Sequence, residues 1–220
     1  MNKLKILSDK QVLFLNLISQ EKRIISKFYL SGGTALTEYY ISYRLSEDLD
    51  FFSFEEVMVD GILAFLKKIK SEIDYKNMEF NTSFNRNLFF LKFHDSQLKL
   101  EFTYYPFEQV EKPRTINGIP IDSLIDIAVN KLFTIYQKPR TRDFIDLYMI
   151  CQQEHFKIED LIKKAQIKFD TAIDLIKLGS QLMLVNSIKD YPRLLIKIND
   201  LDWQNFFLSE AKNIGKKIFK

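Results

Sequence analysis

The chain has 220 residues and a mass of 26.2 kDa, enough for one large domain or two small ones. It is 46% hydrophobic and 28% charged, with 20 Phe and 10 Tyr against 6 Gly and 5 Pro, which excludes a disordered, collagen-like or linker-rich polymer. The single Cys151 excludes an intrachain disulfide framework, and with only His94 and His155 beside it a Cys/His zinc site lacks ligands, so any metal must be a hard ion held by carboxylates. The net charge of +3 and pI near 8.7 are compatible with a nucleic-acid partner without demanding one. No apolar run approaches the ~18 residues of a membrane span. Asp9, Lys10, Gln11 and Asn16 interrupt the apolar N-terminal stretch, so no signal peptide is expected and a cytoplasmic location is.

In chain order, Ser8-Asp9 reads as a cap, and Val12, Leu13, Leu15, Leu17, Ile18, Ile24 and Ile25 mark an amphipathic helix to about Ser26. Phe28-Tyr29-Leu30 reads as a strand closed by Ser31-Gly32-Gly33, with a short helix entered at Thr34 and running from Ala35 to about Tyr43. Asp48 to Phe52 reads as a second strand, followed by a helix from about Phe54 to Ile73. Met78–Thr82, Leu88–Phe93 and Leu98–Tyr104 read as strands, the last two forming a hairpin about the turn at 94–97. In the last strand Leu98, Leu100 and Phe102 share one face, and Lys99, Glu101 and Thr103 the other. Asn117-Gly118 marks a further turn. Beyond Ser123 only helical patterns occur: Leu124–Gln137, Thr141–Cys151, Ile158 to about Lys177, and Trp203 to the end. The expectation is an α+β core over residues 1–115 followed by an all-helical domain over 116–220 that contributes to the active-site cleft.

Three features of the first half carry chemistry. A Gly32-Gly33 turn from strand into helix brings bare backbone N–H groups to the positive end of a helix dipole, where phosphate binds, although such a turn is often only a turn. Asp48-x-Asp50, fifteen residues beyond Gly33, projects two carboxylates to one side of a strand, where a cation between them relieves their repulsion; an ordinary acidic turn is the alternative. Glu101 lies on the polar side of an otherwise apolar strand. It is either a solvent-facing partner of Lys99 or the third oxygen ligand of a two-magnesium site.

The runs Leu30-Ser31-Gly32-Gly33-Thr34-Ala35-Leu36 and Arg44-Leu45-Ser46-Glu47-Asp48-Leu49-Asp50-Phe51-Phe52 closely resemble the nucleotidyltransferase-type AbiEii toxins of abortive-infection and type IV toxin–antitoxin systems, within the polymerase-beta-like nucleotidyltransferase superfamily. In the helical half, Asp126-Ile127-Ala128-Val129-Asn130-Lys131-Leu132 and Arg140-Thr141-Arg142-Asp143-Phe144-Ile145-Asp146-Leu147-Tyr148 resemble that family's helix lysine and its Arg-Asp-x-x-Asp-Leu-Tyr motif. Lys131 stands in an apolar helix, where an ammonium requires an anion, and a nucleotide triphosphate is one candidate. Asp143 and Asp146, at i and i+3 beside Arg142, either organise one another in a salt-bridge cluster or approach the nucleotide. Arg44 pairs either with phosphate or with Glu47.

The resemblance implies a polymerase-beta-like fold and transfer of a nucleotide from an NTP to an acceptor hydroxyl, with Mg²⁺ or Mn²⁺ held by Asp48, Asp50 and Glu101. Ser31, Gly32, Gly33, Thr34, Arg44, Lys131, Asp143 and Asp146 are then the nucleotide-binding residues, with Lys131 also catalytic. Glu101 stands where many superfamily members have Asp. The resemblance further implies a growth-slowing toxin acting on RNA such as tRNA, and a cognate antitoxin encoded nearby; from the absence of a long apolar run, no membrane partner is expected. A small-molecule or protein acceptor, and a non-catalytic nucleotide-binding module, stay open as alternatives.

Overall fold

The computed structural model describes residues 4–218. They form two compact units, one reaching to Glu108 and including Lys112–Ser123, the other comprising Gln109–Glu111 and the chain from Leu124 onward.

The first unit is built on a mixed seven-stranded sheet of β1 (Tyr29–Ser31), β2 (Asp48–Ser53), β3 (Asn77–Ser83), β4 (Arg86–Lys92), β5 (Gln97–Tyr104), β6 (Arg114–Ile116) and β7 (Ile119–Ile121), in the order β3-β4-β5-β2-β1-β7-β6. Strand alternation divides it into two faces. One face carries Leu30, Leu49, Phe51, Phe89, Leu91, Leu100 and Phe102, each less than 1% exposed. Helices α1 (Asp9–Gln20) and α4 (Val59–Lys68) contribute Phe14 and Phe65 to the same aromatic core: Phe14 meets both Phe51 and Phe65 edge-on, and Phe51 stacks on Phe102 at 5.0 Å. Each such ring contributes about 1.5–3 kcal/mol through burial. This is why the phenylalanine-rich segments pack as core. The opposite face of β2, β4 and β5 carries the charged residues.

Ser8 caps α1 as its sequence suggests, in a reciprocal capping box with Gln11. The helix ends earlier than its pattern, at Gln20, and α2 (Lys22–Ile25) completes the segment. α3 (Gly32–Tyr39) starts at the glycine pair itself, because Gly32 adopts φ +71° and turns the chain directly from strand into helix. The expected helix over 54–73 begins only at Val59, after the Ser53 hydroxyl accepts the Glu55 amide in a turn, and it divides at Ile69 into α4 and α5 (Lys70–Ile73). Asn117 and Gly118, at φ +49° and +80°, make the left-handed pair of a two-residue hairpin joining β6 and β7.

That hairpin corrects the expected boundary at 115/116. Leu30 pairs in parallel with Ile121, so β7 extends the first unit's sheet and the division falls between Ser123 and Leu124.

The second unit is helical: α6 (Leu124–Gln137), α7 (Thr141–Glu154), α8 (Ile158–Lys168), α9 (Leu175–Met183) and α10 (Asp200–Ile218). The single helix expected from Ile158 to Lys177 is two. Asp170 takes φ +43° after α8, and Asp174 caps α9 by accepting the amides of Ile176 and Lys177. Phe144, Trp203 and Phe207 are fully buried in this unit's core. Residues 219 and 220 of the expected last helix lie outside the described residues.

Candidate active site

β1 lies antiparallel to β2 and β2 parallel to β5, and the register sets Ser31 beside Asp50, Asp50 beside Glu101, and Asp48 beside Lys99. β4 completes the row by placing Arg86 beside Thr103. Residues paired across strands share a face, as do residues two apart on one strand, so Ser31, Asp48, Asp50, Lys99, Glu101, Thr103 and Arg86 form a single polar surface.

The glycine turn closes on this surface. A Cβ on Gly32 would stand 2.5 Å from Asp50 Oδ2, so only glycine lets the carboxylate reach the turn, and the positive φ makes the same demand. A Cβ on Gly33 would run into Arg44 Nη2, which brings a guanidinium against the turn. Arg44 is 3% exposed and its Nη1 donates to the Leu45 carbonyl at 2.8 Å. Ser31 occupies the N-cap of α3 without capping it: its hydroxyl donates instead to Asp122 Oδ2 at 2.6 Å, and both residues are buried. The first-turn amides of α3 therefore lack a side-chain cap, the arrangement that suits an incoming anion. Thr34 donates its hydroxyl to the Asp48 carbonyl, tying the helix start to the head of β2.

The carboxylates differ in their surroundings. Asp48 is half-buried and its Oδ2 accepts from Lys99 Nζ at 2.6 Å. Glu101 is 5% exposed; its Oε1 accepts from Arg86 Nε at 2.6 Å and Thr103 Oγ1 at 2.9 Å, and its Oε2 from Arg86 Nη2 at 2.6 Å. Burial pushes the Glu101 carboxyl up, but the Arg86 fork, the Thr103 hydroxyl and Lys99 together hold it below the usual range, so it is ionised. Arg86 is raised in turn, first by its bond to Glu101 and further by the charges of Asp50 and Asp48, whose field it shares.

Asp48 and Asp50 fit a hard divalent ion: two carboxylates on one strand face, both within reach of solvent, with one drawn against a glycine turn. Glu101 neighbours Asp50 but is committed to Arg86. Among the described residues no three His, Cys, Asp or Glu side chains are grouped so as to hold a metal ion.

Lys131, Asp143 and Asp146 come together in the helical unit. Lys131 Nζ lies 2.8 Å from Asp143 Oδ1 and 2.5 Å from Asp146 Oδ2, both aspartates being fully buried. The arginine of this cluster is Arg140, whose Nε meets Asp143 Oδ2 at 2.7 Å, in place of the expected Arg142. Burial raises the Asp143 carboxyl, but Lys131 and Arg140 outweigh it and hold it below the usual range. A second buried pair joins Lys168 to Asp126 at 2.6 Å, and Asp126 also accepts the amides of Val110 and Glu111. That is why the 109–111 segment belongs to this unit.

Sequence reasoning missed Arg86, Asp122 and Arg140. For Arg86 a signal existed: a hairpin closing between Lys92 and Gln97 places Arg86 opposite Thr103 by counting back along the strands. Asp122 had none, because its approach to Ser31 follows from the parallel pairing of β7 with β1.

A glycine turn feeding a helix, beside two aspartates on the adjacent strand of a mixed sheet, is the frame of a nucleotidyltransferase. The fold agrees with a crystal structure of a candidate nucleotidyltransferase from H. pylori, with TM-score 0.63, 22% identity and coverage of 96% of this chain and 97% of that one. It agrees equally with the crystal structure of JHP933 from Helicobacter pylori, with TM-score 0.62, 22% identity and coverage of 97% and 94%. The sequence is 32% identical over 149 residues to an uncharacterized protein of Aquifex aeolicus (strain VF5), spanning 66% of this chain and 68% of that protein. Residues 22–211 match the family described as nucleotidyl transferase AbiEii toxin, type IV TA system, and the chain belongs to that family.

Proposed function

We propose that this protein transfers a nucleotide from an NTP to an acceptor hydroxyl, releasing pyrophosphate, and that the acceptor is RNA, with the acceptor end of tRNA as the expected target. The observation that carries the reading is the convergence of Asp48 and Asp50 with the Gly32-Gly33 turn on one sheet face. Asp48 and Asp50 would hold Mg²⁺ or Mn²⁺, which when bound activates a hydroxyl and screens charge on the leaving pyrophosphate.

The chain's own residues account for binding. The uncapped amides of α3 offer donors to phosphate oxygens, and the Arg44 guanidinium adds positive charge on the same side of the turn. Ser31, held by Asp122, keeps its hydroxyl away from those amides. Thr34 fixes the helix start against β2. This set orients the triphosphate; the acceptor oxygen forms its bond to the α-phosphorus as the bond to the β-phosphate breaks, and the hydroxyl proton leaves to solvent. Lys131, Asp143, Asp146 and Arg140 form a cluster of the helical unit's own, in which Lys131 bonds both aspartates and Arg140 bonds Asp143. Glu101 joins the site through Arg86.

Family membership supports the biological role: a growth-slowing toxin in the cytoplasm, restrained by an antitoxin encoded nearby. No described helix is long and apolar enough to cross a membrane.

The test is incubation of the protein with each α-labelled NTP, Mg²⁺ and either total tRNA or protein lysate. Label on tRNA is expected, and Asp48→Asn and Asp50→Asn are each expected to lower it by about 10²-fold or more while circular dichroism stays unchanged. Label on protein alone would overturn the RNA acceptor. Full transfer by both variants would overturn the site.

A further inference from the structure

The Arg86–Glu101 pair is lopsided. The Glu101 side chain is 7% exposed and that of Arg86 53%, so a buried carboxylate anchors an outward guanidinium. A guanidinium has five N–H donors in a fixed fork, and Glu101 takes two of them. The other three are not taken up by Glu101, and the strand register puts Arg86 on the same sheet face as Asp50 and Asp48. Glu101 itself has little left to give: Oε1 already accepts two donors, and Oε2 accepts one.

We propose that Arg86 is a phosphate-binding residue of the nucleotide site, and that Glu101 is its positioning residue and not a third metal ligand. This rests on the nucleotidyl-transfer reading of the site.

The electrostatics call for such a group. Two aspartates beside a triphosphate repel it; the glycine turn with Arg44 supplies compensating charge from the β1 side, and Lys99 on β5 is already paired with Asp48. Arg86 supplies it from the β5 side, close enough to Asp50 and Asp48 to respond to their charge. An arginine suits the task better than a lysine. One edge of its planar fork binds Glu101 while another faces a phosphate bidentately, whereas a lysine offers one point charge. The Thr103 hydroxyl on Oε1 fixes the carboxylate's rotation and therefore the direction of the fork.

Two binding measurements on the full chain test this: inorganic tripolyphosphate by calorimetry in EDTA, and Mn²⁺ by electron paramagnetic resonance. Arg86→Gln is expected to weaken tripolyphosphate about tenfold, and Glu101→Gln at least about threefold through loss of the anchor. Both are expected to leave Mn²⁺ affinity within about twofold of wild type. A tenfold or greater loss of Mn²⁺ affinity in Glu101→Gln would overturn the proposal, because it would make Glu101 a ligand. Unchanged tripolyphosphate affinity in Arg86→Gln would overturn it too. Should Arg86→Gln fold poorly, Arg86→Lys keeps the charge and loses the fork: a loss of about threefold or more in tripolyphosphate affinity supports the assignment, and wild-type affinity refutes it. The underlying reading fails separately, if Asp48→Asn and Asp50→Asn bind Mn²⁺ as wild type does.

Discussion

The molecule holds two clusters of carboxylates and cations made of the same chemical groups under different solvation. On the sheet, Asp48 and Lys99 pair with side chains 31% and 25% exposed, and Arg86 stands half in water. In the helices, Asp143 and Asp146 are wholly buried around a Lys131 side chain that is 10% exposed. A pair in contact with water exchanges partners cheaply, because solvent compensates each charge as it leaves. A buried pair does not, because a lone charge left behind has no solvent to receive it. The Asp48–Lys99 pair is therefore suited to give up its partner to an incoming ion or phosphate, whereas the helical cluster holds α6 and α7 together.

The sharpest way to break that contrast is Lys131→Met, which removes the cation shared by two buried carboxylates. It is expected to destabilise the protein by about 3–5 kcal/mol in urea titrations, and a loss under 1 kcal/mol would show the helical cluster to be as exchangeable as the sheet cluster. Next is Gly32→Ala, where a left-handed φ and the approach of Asp50 both oppose a side chain. A loss of about 1–3 kcal/mol, together with weakened Mn²⁺ binding, is expected; retention of both would detach the turn from the aspartates.

Acid sharpens the comparison further. The Asp143 carboxyl is lowered in the folded chain from an ordinary value of 3.8, so its contribution to stability is present above that value and lost as pH falls through the lowered one. Melts from pH 7 down to 2 are expected to show a decline below pH ~4 that is shallower in Asp143→Asn, already weakened at neutral pH. Equal slopes would mean the folded cluster does not hold the charged form. Smallest is Lys99→Met, expected to shift stability by less than about 1 kcal/mol, since its ion pair with Asp48 is open to water. A larger loss would make the sheet pair structural.

Much of the site is legible in the sequence. Strand alternation alone puts Asp48 with Asp50, and Lys99 with Glu101, on polar faces. The glycine pair marks the turn because few other residues tolerate its geometry. Lys131 reads as a cation that requires an anion, yet its partners Asp143 and Asp146 lie on the next helix, and pairing between helices leaves no local signature. The helix expected over 158–177 failed for a related reason. Its apolar period runs past 168, but Asp170 in the left-handed region and the Asp174 cap divide it, and caps compete with periodicity at short range.

By itself the sequence determined which groups are present and which neighbours along the chain share a face: the aspartate pair, the glycine turn, the charged face of β5, and the family to which these motifs point. Those properties depend on backbone geometry over a few residues. Only the tertiary structure decided that Glu101 is gripped by Arg86, that Ser31 turns to Asp122, that β6 and β7 extend the first unit's sheet, and that Lys131 is shared by two buried aspartates. Each of these depends on strand register or helix packing between residues far apart in the chain, and that is set by burial of the core as a whole.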